Sequence, residues 1–227
     1  LPGTYSLRAR SAEEIVARDF LCFAEPDAAV VVCDATCLER GLLLVMQVLE
    51  TCPRALLCVN LLDEAEKRQI TIDLPQLEQL LGIPVVGMAA RSGTGLPEFQ
   101  QRLFDLLHQP APQPLPCPVP EQLVQPLEQI QNELPENLCG LQREWTARRL
   151  LEPEPELHEK IAAHGNISLE IPALSDALEQ TWKQYSPEVC ADAMIAAIVR
   201  HSEALAAQTV HQPEQTDAAD RRLDRIL

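Results

Sequence analysis

The apolar positions change their spacing several times along the first half of the chain, and each change marks an element. From Ser11 to Phe23, Ile15, Val16, Phe20 and Phe23 recur at helical spacing behind Ser11-Ala-Glu-Glu14, a capping-box start. Ala28 to Cys33 is a wholly apolar run, which predicts a strand buried on both faces. Asp34-Ala35-Thr36 breaks it, and Leu38 to Leu49 resumes the helical pattern. Ala55 to Val59 reads as a second buried strand, Leu74 to Leu81 as a helix, Val85 to Met88 as a third strand and Leu96 to Leu107 as a helix. Strands alternating with helices predict an α/β fold, a parallel sheet with right-handed crossovers and helices on both faces.

Proline then stands at 110, 112, 114, 116, 118 and 120. Such alternation can neither continue a helix nor sit inside a sheet, and it predicts a stiff extended connector at a domain boundary. Beyond it the helical period returns over about 120–133, 138–151, 156–164, 171–185 and 187–207. Cys190, Met194, Ala197, Ile198, His201 and Leu205 line one face of the last helix. The expected organisation is an α/β part at 1–109, a linker at 110–120 and a small all-helical domain at 121–227.

Composition removes some functions. With 227 residues, 46% of them hydrophobic and 23% charged, the chain can fill one or two cores. A net charge of −16 argues against nucleic acid, whose phosphates demand clustered Lys and Arg. The longest apolar runs fall far short of the roughly 18 residues of a membrane span, so the segment is expected to be soluble. Nothing at its start reads as an export leader. The 8 cysteines need no disulfide framework in a chain of this length, and a reducing cytosol fits them. Cys33 and Cys37 lack a second ligand pair at zinc spacing and read as packing thiols. His158, His164 and His201 read as solvated or core residues on helices.

In open parallel sheets ligands sit beyond the carboxyl ends of the strands, and the loops 34–40, 60–64 and 89–95 all lie there. The second contains Asn60-Leu-Leu-Asp63 and the third Ala89-Ala90-Arg91. A carboxylate only accepts hydrogen bonds, so Asp63 matches the two adjacent donors on the guanine edge, which adenine does not present. Asn60 can bond the base and brace neighbouring loops, and a small Ala90 lets a backbone N–H approach the base oxygen. By itself Asn-x-x-Asp is also a common turn; its position in the fold and the company of the third loop favour the binding reading. No Gly-x-x-x-x-Gly-Lys-[Ser/Thr] phosphate cradle occurs in the chain. Leu1-Pro2-Gly3-Thr4 reads either as a Pro-Gly turn or, behind an aspartate, as a switch whose Gly3 N–H meets a terminal phosphate.

Leu1-Pro2-Gly3-Thr4-Tyr5-Ser6-Leu7, Ser11-Ala-Glu-Glu14, Asp34-Ala-Thr-Cys-Leu-Glu-Arg40, Asn60-Leu-Leu-Asp-Glu-Ala65 and Leu81-Gly-Ile-Pro-Val85 together resemble the cytosolic amino-terminal region of the bacterial ferrous iron transport protein B family. Trp145-Thr-Ala-Arg-Arg-Leu-Leu151 and Asp220-Arg-Arg-Leu-Asp-Arg-Ile-Leu227 are similar to its helical domain and to the segment ahead of its first membrane helix. The resemblance implies a partial P-loop (Ras-like) G domain and a helical coupling domain. Its parent would be a Fe²⁺ transporter of the bacterial inner membrane that slowly hydrolyses GTP. It implies Gly3 as the switch II glycine within Leu1–Thr4, Asn60 and Asp63 as guanine readers, and Ala89, Ala90 and Arg91 as the last base loop. Two departures stand out: Ala89 where the family usually has Ser, and Leu61 where generic GTPases place Lys. The P-loop, the switch I threonine and the switch II aspartate, which place Mg²⁺ and the β and γ phosphates, would precede Leu1. The chain, beginning without Met, therefore reads as a piece of a longer protein with an incomplete sheet edge, unable to hydrolyse GTP alone. The implied partners are a guanine nucleotide and the transmembrane domain of the same parent. Two other readings stay open: a degenerate interaction scaffold, and a soluble GTPase unrelated to iron.

Overall fold

The computed structural model describes residues 12–212. Its first half runs α1 (Ala12–Phe23), β1 (Ala29–Asp34), a 3-10 turn (Ala35–Cys37), α2 (Leu38–Thr51), β2 (Ala55–Asn60), α3 (Leu62–Lys67), β3 (Thr71–Ile72), α4 (Leu74–Leu81), β4 (Val85–Gly87) and α5 (Leu96–His108). The second half holds a 3-10 turn (Glu121–Leu123), α6 (Val124–Glu133), α7 (Arg143–Leu150), α8 (Pro155–Gly165), α9 (Pro172–Gln184), α10 (Pro187–Thr209) and β5 (Val210–His211).

β1, β2 and β4 form a parallel sheet in that order, with Val30 opposite Leu56, Val32 opposite Cys58 and Cys58 opposite Val86. Because side chains alternate across a strand, two cores result. On one face Val31, Cys33, Leu57, Val59 and Val85 pack with Leu42, Val45 and Met46 of α2 and Leu77 and Leu81 of α4. On the other, Leu56, Cys58, Val86 and Met88 pack with Leu106 of α5. Helices thus cover both faces of a parallel sheet, as the sequence pattern predicts.

The reading of β1 as buried on both faces is corrected: Val30 and Val32 are 39% and 60% exposed. They point to the face that α5 covers, but α5 lies over β2 and β4, and β1 is the sheet edge among the described residues. Three short elements were also beyond the sequence pattern. α3 follows directly on Asn60, and β3 pairs antiparallel with β5, Ile72 beside Val210. The Asp73 N–H adds a 2.8 Å bond to the Thr209 carbonyl, which ties the end of α10 to the entry of α4.

The helices of the second half enclose their own core, built on Leu127, Ile130, Trp145, Leu157, Ile161, Leu174, Cys190 and Met194. The expected helix over 138–151 starts only at Arg143. Cys139 and Gly140 adopt positive φ just before it, in the left-handed region that interrupts a helix. α10 belongs to both halves: Cys190 and Met194 lie in the helical core, whereas Ile198, Leu205 and Ala206 pack with the first.

The proline segment is extended but not a loose spacer. The Leu115 N–H bonds the Leu81 carbonyl at 2.9 Å. The Arg148 guanidinium, buried in α7, donates to the carbonyls of Cys117 at 2.6 Å and Pro118 at 3.1 Å. It also pairs with Glu50, at the end of α2, at 3.0 Å. Arg149 meets Glu152 at 3.1 Å and Glu50 at 3.5 Å. Charges taken this far from water are tolerable only when paired, so these contacts fix the helical half against α2.

Candidate functional site

At the carboxyl ends of β1, β2 and β4 three loops converge. Asp34 ends β1, and its carboxylate accepts the Thr36 N–H at 2.7 Å, closing the first loop onto the 3-10 turn. Asn60 ends β2 in register with Asp34. Its side-chain oxygen accepts the Ala90 N–H at 3.0 Å, a direct bridge between the second and third loops. Leu61 then turns left-handed at φ 63°, and the Leu62 N–H bonds the Met88 carbonyl at 3.1 Å. That reversal starts α3 at once and sets Asp63 in its first turn.

Asp63 Oδ1 is out of contact with solvent and has no hydrogen-bond partner. A buried carboxylate oxygen left without a donor costs free energy, and such an exception calls for a reason. Donors arriving from outside the chain would supply one.

The third loop is held by its own bonds. Ala89 and Thr94 form a bridge, with the Ala89 N–H on the Thr94 carbonyl at 3.1 Å. The Ser92 hydroxyl donates to the Ala89 carbonyl at 3.0 Å and lies 2.8 Å from the Thr94 hydroxyl. Gly95, at φ 80°, starts α5 so close to β4 that an added Cβ would stand 2.3 Å from the Gly87 carbonyl oxygen. Where the family pattern has a serine, Ala89 has no hydroxyl, yet Ser92 supplies one to the same turn. Arg91 is exposed at the rim. Cys37 is exposed in the first loop, unlike buried Cys33, so only one of that pair is a packing thiol. Burial and the neighbouring Asp34 carboxylate hold the Cys37 thiol above its ordinary range.

Of the residues singled out from sequence, Asn60, Asp63, Ala89, Ala90 and Arg91 come together here. One detail differs: the Ala90 N–H, expected to meet a base oxygen, is held by Asn60. Ser92 and Thr94 were missed, and Leu61, singled out only as standing where generic GTPases place Lys, was not expected to reverse the backbone. The Gly93 and Gly95 pair flanking Thr94 was the available signal for a tight turn, but a backbone reversal at a leucine has none. Leu1, Pro2, Gly3 and Thr4 lie outside the described residues. Among the described residues, no three His, Cys, Asp or Glu side chains gather as a metal site.

A parallel sheet flanked on both faces, with its loops gathered beyond the strand ends around Asn-x-x-Asp, has the fold of a G domain. Residues 1–103 match the family model described as "Ferrous iron transport protein B". The Fe(2+) transporter FeoB of Legionella pneumophila is 36% identical over 138 residues, 59% of this chain and 18% of its own length. A Fe(2+) transport protein A/Fe(2+) transporter FeoB fusion protein of Porphyromonas gingivalis is 44% identical over 108 residues, 47% of this chain and 12% of its own length. The chain thus spans less than a fifth of these curated relatives. Among solved structures, the cytosolic domain of L. pneumophila FeoB superposes with TM-score 0.70 at 29% identity, covering 93% of this chain and 79% of that one. The cytosolic domain of T. maritima FeoB in its GMPPNP form gives TM-score 0.76 at 23% identity, with 93% and 79% covered. No helix among the described residues is long and apolar enough to cross a membrane.

Proposed function

We propose that this chain carries the guanine-reading half of a GTP site in the cytosolic region of a ferrous iron transporter. The observation that carries the reading is the buried, unpartnered Asp63 Oδ1 beside the Asn60–Ala90 bridge. Asp63 accepts the N1–H and the exocyclic amine of guanine, and adenine, presenting no such pair, leaves the carboxylate unsatisfied. Asn60 braces the third loop so that the Ala90 N–H, shared with a base oxygen, sits over the same ring. Arg91 closes the rim. Support comes from the L. pneumophila and P. gingivalis relatives and from solved relatives in GMPPNP and GDP forms.

On this reading residues 1–109 are the later part of the G domain, 110–120 the connector and 121–227 the helical coupling part, lying at the cytoplasmic face of the bacterial inner membrane in the parent. Gly3, within Leu1–Thr4, senses the terminal phosphate. GTP binding reorders that segment, and the helical part passes the change to a transmembrane iron path. The phosphates and Mg²⁺ need a P-loop lysine and hydroxyl that this sequence does not contain, so residues 1–227 alone bind nucleotide feebly and do not hydrolyse GTP.

The test is ligand-observed NMR of GMP and AMP against residues 1–227, since the base contacts are the part retained. GMP is expected to bind in the millimolar range and AMP not at all. Equal signals for the two nucleotides refute base reading, and micromolar GTP affinity or turnover by these residues alone refutes the division of labour.

A further inference from the structure

The chain leaves the α/β half for the helical half and comes back to it at the two ends of one short helix. At the carboxyl end of α4, the Leu115 N–H of the outgoing connector bonds the Leu81 carbonyl at 2.9 Å. Gly82, left-handed at φ 68°, closes that end, and the connector lies so near that an added Cβ would collide with the Gln113 carbonyl oxygen. At the amino end, the returning chain pairs Val210 with Ile72 and His211 with Thr71, and its Thr209 carbonyl takes the Asp73 N–H at 2.8 Å. Asp73 is also the N-cap of α4, its carboxylate accepting the Gln76 N–H at 2.9 Å. Both passages between the halves are therefore fastened by backbone bonds to a helix of 8 residues, about 12 Å long. As a crossover helix, α4 runs antiparallel to the strands, so its clasped amino end lies level with the candidate site and its carboxyl end at the far edge of the sheet.

The same helix touches the parts that carry the guanine loops. Leu74, at the start of α4, and Leu62, at the start of α3, close together over Gly87 of β4, where an added Cβ would stand 2.5 Å from Leu62 Cδ1 and 2.6 Å from Leu74 Cδ1. Leu62 is the residue before Asp63, and its N–H already holds the Met88 carbonyl. Further along α4, the Glu78 carboxylate accepts the Val85 N–H at 3.0 Å and fixes the start of β4, the strand that leads into Ala89 and Ala90. Leu77 and Leu81, both fully buried, set the helix into the core with Val85. A close-packed helix shifts as one body, so α4 cannot move without displacing α3, β4 and the two clasps together. We propose that α4 is a lever through which the guanine loops and the helical half sense each other, by a route that uses neither Gly3 nor the segment around it. Guanine donors on Asp63 hold the first turn of α3, Leu62 holds Leu74, and the Thr209 to His211 clasp tightens. By linkage, loosening the clasp weakens guanine binding by the factor with which guanine strengthens the clasp.

The ligand named here rests on the proposed guanine site; the mechanical link between clasps and loops does not, and its test is run first without nucleotide. Asp73→Pro deletes the N–H given to Thr209, and the Asp73 backbone at φ −80° accepts proline. It also removes the cap, so Asp73→Ala, which loses the cap alone, is its reference. Leu115→Pro and Leu115→Ala form the matching pair at the other clasp. Hydrogen exchange of residues 1–227 is read by mass spectrometry over 60–66 and 87–94. Each proline variant is expected to exchange there roughly fivefold faster or more than its alanine reference. If Asp73→Pro does not fold, the Leu115 pair decides. Exchange raised at the clasps alone, with 60–66 and 87–94 as in the references, overturns the proposal: the clasps would be tethers. With GMP added, slower exchange over 71–73 and 209–211 and a matching loss of GMP affinity in Asp73→Pro are expected; protection confined to 60–66 and 89–94 overturns it. Absence of any GMP binding refutes guanine reading, and the nucleotide-free comparison still decides the lever.

Discussion

Asp63→Asn is the change whose outcome separates a base-reading carboxylate from a structural one. In guanine, N1–H and the exocyclic amine both point donors at Asp63; an asparagine turns one acceptor into a donor, leaving one bond and one donor–donor clash. Xanthine has a carbonyl where guanine has the amine, so it presents a donor and an acceptor, which asparagine matches. A bond to a charged group contributes about 1.5–3 kcal/mol, so losing one and opposing another gives a loss near 3 kcal/mol for GMP, roughly 100-fold in affinity. Stability should move the other way or not at all. Asp63 Oδ1 satisfies no donor in the fold, so removing its charge sacrifices no internal bond and relieves part of a desolvation cost. The assay is saturation-transfer NMR of GMP, XMP and AMP with the parent chain and the variant, alongside their thermal midpoints. The parent is expected to favour GMP and the variant XMP, with an unchanged or raised midpoint. A lower midpoint together with an unaltered GMP preference would refute the reasoning, because Asp63 would then be holding the loop rather than a base.

Asn60→Ala removes the acceptor of the Ala90 N–H; the exposed amide turns to water, so the loss should be about 1 kcal/mol by urea denaturation, with faster amide exchange over 89–94. Gly95→Ala forces a Cβ against the Gly87 carbonyl at 2.3 Å in a left-handed backbone, and a loss above about 2 kcal/mol with disappearance of the GMP signal is expected by denaturation and NMR. Arg148→Ala takes from buried Glu50 its nearer cation, leaving only Arg149 at 3.5 Å, and strands two connector carbonyls, which should cost about 3 kcal/mol in a urea titration; a loss under 1 kcal/mol would contradict the clamp. Burial pushes the Cys22 and Cys33 thiols up to about 12 from the ordinary 9.0. The unfolded chain then loses its thiol protons first, so stability should hold below pH 9 and fall between pH 9 and about 12, a decline that Cys22→Ala should lessen in pH-jump unfolding.

Local regularities announced most of the frame. Apolar runs at 28–33 and 55–59 separated by helical periods fix a parallel α/β order without reference to anything distant, because the period of a pattern is a property of neighbouring residues. The same locality made Asn60, Asp63 and the Ala89–Arg91 turn readable, since each motif lies within a few residues at the end of its strand. What depended on contacts between distant segments stayed hidden. Arg148 and Arg149 sit in a helix whose composition suggests water, yet both are buried because Glu50 and the connector carbonyls meet them there. Val30 and Val32 have the apolarity of core residues and are exposed because α5 stops short of β1. Val210 pairs with Ile72, and Asn60 takes the Ala90 N–H, only because the fold carries those backbones together. Sequence determined which elements form and which loops hold the chemistry. Tertiary packing decided which side of each element meets protein and which meets water, because burial belongs to the partner surface as much as to the residue.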